Sequence, residues 1–243
     1  MSAPRFYCPL TLAVGMVLDL PSRAAHHATR VLRLRIGAGI TVFNGVGGEY
    51  SAQIVSVARD HVAVRVQARV EVERESPLDV TLVQAVSSGD RMDLTIRKAV
   101  ELGVTRIVPV ISVRSVVQLS GDRAAKRVQH WEDVIIAACE QCGRNRLPPV
   151  AAALPLTTWI RSAQCVPARW MLAPDAADSV RSLARPDGAV QLLVGPEGGF
   201  AAEEKQAAAD AGFVGVRLGP RTLRTETAAP AALAVFAALW GDF

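Results

Sequence analysis

The spacing of apolar residues changes character at the charged stretch Val72-Glu73-Arg74-Glu75-Ser76-Pro77. Upstream, short segments alternate apolar and polar residues and are separated by glycine turns. Gly39–Phe43 leads into Asn44-Gly45 and Gly47-Gly48, and Tyr50–Val55 follows. His61–Val70 sets Val62, Val64, Val66, Ala68 and Val70 on one side, and Ala63, Arg65, Gln67 and Arg69 on the other. A period of two marks a strand with one buried face, and several such strands joined by glycine turns predict a small barrel. Downstream, apolar strands at Leu78–Val86, Arg106–Ile111, Arg169–Leu172, Ala189–Val194 and Val214–Leu218 alternate with helices. The helices are expected from an Asp90 cap to Gly103, and over Arg123–Cys142, Ala176–Ala184, Ala202–Ala211 and Glu226–Trp240. That alternation predicts an α/β domain with a parallel sheet covered on both faces. The expected division is a β domain at 1–72, a linker at 73–77 and an α/β domain at 78–243.

Composition narrows the class of protein. Half of the 243 residues are hydrophobic, enough for a substantial core, yet no apolar run approaches the roughly 18–20 residues of a membrane span. Met1–Leu20 carries Arg5 and Asp19, unlike a secretory signal. Four scattered cysteines make no disulfide framework, so a cytoplasmic protein with no membrane partner is expected. Cys139 and Cys142 spell C-x-x-C, but one pair without a second Cys or His cluster does not make a zinc site. Both read as small packing residues, and no metal is expected. The net charge of +4 permits a polyanionic partner. Between Pro21 and Arg35 lie Arg23, Arg30, Arg33 and Arg35 with His26 and His27, and no acid. This segment reads as a short helix, either facing nucleic acid or simply solvated.

The chemistry concentrates in two strand–loop–helix units near the C-terminus. In Leu192–Phe200 an apolar strand ends in Gly195-Pro196-Glu197-Gly198-Gly199. Glycines at the carboxyl end of a sheet strand let backbone N–H groups approach a ligand, and proline stiffens the loop. Neither the dinucleotide fingerprint nor a phosphate-binding P-loop is present. In the second unit, the strand Val216–Leu218 runs into Gly219-Pro220-Arg221-Thr222-Leu223-Arg224-Thr225-Glu226-Thr227 and an almost wholly apolar helix. Thr225 or Thr227 is a candidate cap for that helix, and with Thr227 as cap Pro230 falls in the first turn, where its missing N–H costs little. So apolar a helix must be buried, in the core or against another subunit. An ordinary tight turn would explain either loop alone, but two in tandem argue for a site.

These residues, with Arg5-Phe6-Tyr7, His26-His27, Val31-Leu32-Arg33, Lys98–Val104 and Ala137–Asn145, resemble the 16S ribosomal RNA uridine N3-methyltransferases of the RsmE family, in the SPOUT (trefoil-knot) superfamily. The likeness extends over nearly the whole chain and is weakest across 151–190. Its specific strings are Glu140–Asn145 and Leu223–Thr227; Gly195–Gly199 alone would point only to the superfamily. Pro230 is a departure from the pattern. The resemblance implies a C-terminal SPOUT α/β trefoil-knot domain and a small N-terminal PUA-like β-barrel domain that binds RNA. It also implies a homodimer through the knot domain, S-adenosyl-L-methionine as cofactor, and 16S rRNA of the small ribosomal subunit as substrate.

The resemblance further implies roles for single residues. Leu172, Val194, Gly195, Pro196, Glu197, Gly198, Gly199, Leu218, Gly219, Leu223, Arg224, Thr225, Glu226 and Thr227 would surround the cofactor. Arg5, Tyr7, Arg23, His26, Arg30, Arg33, Arg144 and Asn145 would meet RNA. Methylation at uridine N3 must overcome the imide proton, by placing positive charge nearby, by removing the proton, or both. Arg224 is the candidate for the charge. Glu140 and Glu226 are candidate bases, with structural alternatives: Glu140 pairing with Arg144, and Glu226 favouring a helix N-terminus. A competing reading is a non-enzymatic RNA-binding ribosome assembly factor on the same fold, and another is a SPOUT enzyme acting on a different base or on transfer RNA.

Overall fold

The structure, a computed structural model, describes residues 3–58, 61–117 and 121–243. It divides into two compact units. The first comprises Met1–Glu75 and, from much later in the chain, Cys139–Leu147; the second is formed by Ser76–Ala138 and Pro148–Phe243. The contact boundary therefore falls inside the expected 73–77 linker, and a segment of the expected α/β domain packs with the β unit.

The first unit contains β1 (Arg5–Tyr7), β2 (Val17–Asp19), α1 (Ser22–His26) continued by one π-helical turn (His27–Val31), β3 (Gly39–Phe43), β4 (Glu49–Ala58) and β5 (His61–Val70). The strands form one sheet in the order β1-β3-β4-β5-β2, antiparallel except for the parallel β1–β3 pair. Register shifts at Ser51/Ala52 and Ile54/Ser56 mark bulges, which sharpen the bend of a sheet around its core. Phe6, Leu18, Ile40, Val42, Ile54, Val62, Val64 and Val66 fill that core, with Ala24, Ala25 and Ala28 of the helical segment packed on it. The alternation in β5 ends early, since Ala68 and Val70 are exposed.

The glycine turn after β3 is a docking point. Gly47 has φ 117°, and a Cβ there would lie 2.5 Å from both Arg146 Nη2 and Glu73 Oε1. The Gly48 amide donates to Glu73 Oε1 at 2.7 Å, and the Leu147 amide to the Gly45 carbonyl at 3.1 Å. Beside it, the buried Arg144 guanidinium donates to Glu75 Oε2 at 2.5 and 3.0 Å, and Asn145 Nδ2 donates to the Val72 carbonyl at 2.7 Å. These bonds explain why both Glu73–Glu75 and Cys139–Leu147 belong to this unit: Arg144 and Asn145 are each held by a partner some seventy residues away in the chain.

The second unit is a seven-stranded, wholly parallel sheet. It runs through β6 (Val80–Ala85), α2 (Gly89–Glu101), β7 (Arg106–Ile111), α3 (Gly121–Cys142, whose last turn belongs to the first unit), β8 (Leu154–Pro155), α4 (Leu156–Ser162) and β9 (Ala168–Leu172). It continues with β10 (Asp178–Ser179), β11 (Val190–Val194), α5 (Ala202–Asp210), β12 (Val214–Arg217) and α6 (Thr225–Trp240). The strand order is β10-β12-β9-β11-β6-β7-β8. Every residue of β11 is buried, as expected of a central parallel strand covered on both faces. On one face Val83, Val110, Met171 and Leu193 pack with Leu156, Trp159, Ala208 and Phe213 around α4 and α5. On the other, α6 lies against α2 and β11, with Trp170 and Phe236 rings 4.9 Å apart. After β12 the chain enters α6, whose first residue bonds to the Gly195 carbonyl and which packs along α2.

Three local expectations differ. Ser88, not Asp90, is the N-cap of α2. Ala176–Ala184 is not a helix: β10 pairs with β12, Arg217 Nη1 takes the carbonyls of Ala176 and Ala177, and a short 3-10 turn follows at Val180–Ser182. Those carbonyls are then unavailable to a helical turn. Finally, α6 starts at Thr225 with Arg224 as N-cap, so neither threonine caps it and Pro230 stands beyond the first turn.

Because Arg144 is almost wholly buried against Glu75, Arg144→Met leaves a partly buried carboxylate unpaired. Urea unfolding is expected to show a loss of about 3–5 kcal/mol; a loss under about 1 kcal/mol would mean that this pair does not hold the first unit together.

Candidate active site

A cleft of about 530 Å³ opens beyond the carboxyl ends of β9, β11 and β12. In an open α/β sheet this edge is where ligands bind, and the volume suits a nucleoside-sized molecule. Leu172 and Ala173 end one wall, Val194–Phe200 the next, and Val216–Glu226 wraps the third. All the residues expected around the cofactor line it except Thr227, which is exposed.

The two glycine loops are tied together by one hydroxyl. Thr225 Oγ1 donates to the Gly195 carbonyl at 2.7 Å and accepts from the buried Gln84 Nε2 at 3.0 Å. This fixes the start of α6 against the end of β11. Gly195 has no room for a side chain that would not crowd the Phe200 ring, 3.3 Å from a Cβ placed there. Gly199, at φ 66°, adopts the left-handed conformation that turns the loop into the approach to α5.

Several charged residues that sequence reasoning missed line the cleft. Arg91, on the first turn of α2, donates to Glu197 Oε1 at 2.9 Å and lies 3.8 Å from Glu226 Oε1. The Ser88 amide, at the start of α2, also donates to Glu197 at 3.3 Å. Burial raises the Glu197 pKa, but its own amide, Arg91 and Ser88 outweigh that and hold it below the ordinary glutamate value. Arg114 donates to the Gly198 carbonyl at 3.1 Å, and Lys205 pairs with Asp175 at 2.9 Å. Arg224 is exposed at the cleft, and among the described residues no carboxylate pairs with it. One oxygen of Glu226, Oε2, is buried with no hydrogen-bond partner among the described residues.

The residues expected to meet RNA fall into two groups in the first unit. Arg23, His26, Arg30 and Arg33 are exposed along the helical segment. Arg5, Arg144 and Asn145 are engaged internally. Arg5 donates to Glu49 and, at 2.6 Å, to Asn145 Oδ1, with its guanidinium 5.0 Å from the Phe43 ring centre. Arg144 and Asn145 are 3% and 0% exposed, which leaves neither a free surface for a nucleic acid. Tyr7 is half-buried against Phe43. The Tyr7 amide donates to Glu140 Oε1 at 3.0 Å, and burial raises the Glu140 carboxyl against the opposing effects of that bond, Arg23, His27 and Arg5. Glu140 does not line the cleft, and Arg144 pairs with Glu75. Burial pushes the Cys139 thiol up to about 12, as expected of a packing residue.

A parallel sheet with a glycine-loop cleft at its carboxyl edge, joined to a β unit with a basic helix, defines a class: RNA methyltransferases that carry a PUA domain. Residues 74–237 match the RNA methyltransferase domain family and residues 20–67 the RNA methyltransferase PUA domain family. The ribosomal RNA small subunit methyltransferase E of Buchnera aphidicola is 30% identical over 99% of this chain and 95% of its own length. That of Mycobacterium bovis is 33% identical over 96% of this chain and 90% of its own. The crystal structure of the Neisseria gonorrhoeae enzyme of the same name, bound to S-adenosyl methionine, covers 100% of both chains with 42% identity and a TM-score of 0.92. The chain belongs to the ribosomal RNA small subunit methyltransferase E family.

The Arg91 clamp has a measurable pH signature. A carboxyl whose folded pKa is lowered contributes stability that is complete above its unfolded value, about 4.3, and is lost as pH falls through the folded value. Arg91→Met is therefore expected to flatten the rise of unfolding free energy with pH in that acidic interval; an unchanged slope would show that Arg91 does not hold Glu197 ionised.

Proposed function

We propose that this protein transfers a methyl group from S-adenosyl-L-methionine to N3 of a specific uridine in 16S rRNA of the small ribosomal subunit, in the cytoplasm. The observation that carries the reading is the cleft itself: the two glycine loops converge on it, and Arg224, which no carboxylate pairs with among the described residues, lines it with them.

The residues present fit that cofactor. Leu172, Val194, Leu218 and Leu223 offer apolar surface for an adenine ring, and Gly195, Gly198 and Gly199 bring bare backbone to the cleft. Glu226 Oε2 is an acceptor waiting for a donor, since a buried carboxylate oxygen without one is costly. Together with Pro196, Glu197, Gly219 and Thr225, these residues would hold the cofactor, which supplies a methyl group made electrophilic by its sulfonium.

The chain's own task is to make N3 nucleophilic. Arg224 keeps its charge at every working pH, so its guanidinium stabilises the negative charge that develops as the imide proton leaves. Glu226, on the cleft, is the proton acceptor this reading favours; Glu140, the other candidate base, is not among the residues that line the cleft. The exposed Arg23, His26, Arg30 and Arg33 offer phosphate contacts, which position an RNA without identifying it. Tyr7 offers an aromatic face. Leu239, in the last turn of α6, and Phe243, just beyond it, are 48% and 72% exposed, an apolar surface suited to a second copy of the chain.

Small subunits lacking the modification, incubated with labelled S-adenosyl-L-methionine, are expected to yield 3-methyluridine by nucleoside mass spectrometry. Arg224→Ala should lower kcat by about 100–1,000-fold, the loss seen when one preorganised charge-stabilising group is removed. Cofactor binding without a methylated nucleoside would instead favour another RNA, and absence of both would favour an assembly factor.

A further inference from the structure

Glu204, in the first turn of α5, is a carboxylate 97% shielded from solvent that neither the cleft nor the proposed chemistry uses directly. No cation pairs with it among the described residues. Its charge is held by dipoles alone: the Ala201 amide donates to Oε2 at 2.9 Å, the Ser112 hydroxyl to Oε2 at 2.8 Å, and the Val113 amide to Oε1 at 2.9 Å. The N-terminus of α5 adds its favourable field. Two of these donors come from the loop after β7, some ninety residues earlier in the chain, and the third from the residue that follows Phe200. Glu204 therefore bolts the β7 loop to the exit of the Gly195–Gly199 loop.

The bolted loop is built for one purpose at its tip. The Ser112 amide donates to Ser115 Oγ at 3.2 Å, and the Arg114 amide to Ser112 Oγ at 3.3 Å, which leaves the buried Ser112 and Ser115 no freedom to turn. The exposed Arg114 then reaches back across the cleft rim to the Gly198 carbonyl at 3.1 Å. The approach is close: a Cβ at position 198 would stand 3.3 Å from Arg114 Cβ, so Arg114 would have to give way by a few tenths of an ångström.

We infer that Glu204 is a positioning residue: it fixes the Ser112–Ser115 turn so that Arg114 braces the Gly195–Gly199 loop in the conformation that receives the cofactor. This inference rests on reading the cleft as the S-adenosyl-L-methionine site. A loop braced before binding loses less freedom on binding, so removing the brace weakens affinity. It need not lower the global stability, because Arg114 is on the surface.

Calorimetric titration of S-adenosyl-L-methionine into the full-length protein, with scanning calorimetry alongside, tests the assignment. Arg114→Ala is expected to raise Kd by about tenfold, the scale of one net hydrogen bond, with Tm unmoved; Arg114→Lys, which can still donate to the Gly198 carbonyl, should restore most of the affinity. Glu204→Gln, which turns a donor toward one of the two amides, should weaken binding to at least the same degree and also lower Tm. Parent-like Kd values in Arg114→Ala and Glu204→Gln would overturn the bracing role while leaving the cofactor site standing. A parent protein that binds no cofactor would remove the site and the inference together.

Discussion

The hydroxyl of Thr225 is the contact on which the site depends. It joins three pieces of chain that are far apart in sequence: Gln84 at the end of β6, the Gly195 carbonyl that closes β11, and the first residue of α6. A buried Gln side chain and a loop carbonyl both need partners, and one threonine serves both. Without it the loop at Gly219–Arg224 would have no fixed end, and Arg224, its neighbour at the N-cap of α6, would have no fixed direction. The cleft is thus a consequence of how the last helix is anchored rather than of any single ligand-facing side chain.

Around that anchor, charge is arranged at helix starts. Glu197 accepts from Arg91 and from the Ser88 amide where α2 begins, and Glu204 does the same service at α5. Both carboxylates belong to the loop-and-helix segment after β11, and each fixes a different neighbouring element against it. Arg224, by contrast, has no carboxylate partner among the described residues, which leaves its charge available to a ligand. The first unit uses charge differently. There the guanidinium groups of Arg5 and Arg144 are drawn inside against Glu49 and Glu75, while Arg23, Arg30 and Arg33 stay on the surface.

Much of this was legible in the residues. The change of period at 72–77 separated a β unit from a parallel α/β unit, because binary pattern follows the pleat and the helical turn. The two glycine loops and the family resemblance point to the walls of the cleft formed after β11 and β12, since ligand-binding loops at strand ends leave a compositional trace. Arg91 and Arg114 left none: a helix arginine and a loop arginine look alike whether they face solvent or a distant carboxylate. The same limit hid the burial of Arg144 and Asn145, which depends on Glu75 and on the Val72 carbonyl about seventy residues earlier. Ala176–Ala184 favours helix by composition, and the Arg217 guanidinium overrides it from a strand forty residues on. The tie made by Thr225 is also hidden in the sequence, because a threonine before an apolar run reads as a cap and not as a bond to another loop.

Hydrogen–deuterium exchange with and without S-adenosyl-L-methionine tests whether the loops after β11 and β12 together form one cofactor cleft. Exchange reports local opening segment by segment. If they do form one cleft, the cofactor slows exchange most at amides in 195–200 and 218–228, in both segments at the same cofactor concentration. Protection of only one loop, or protection centred on another part of the chain, would contradict it.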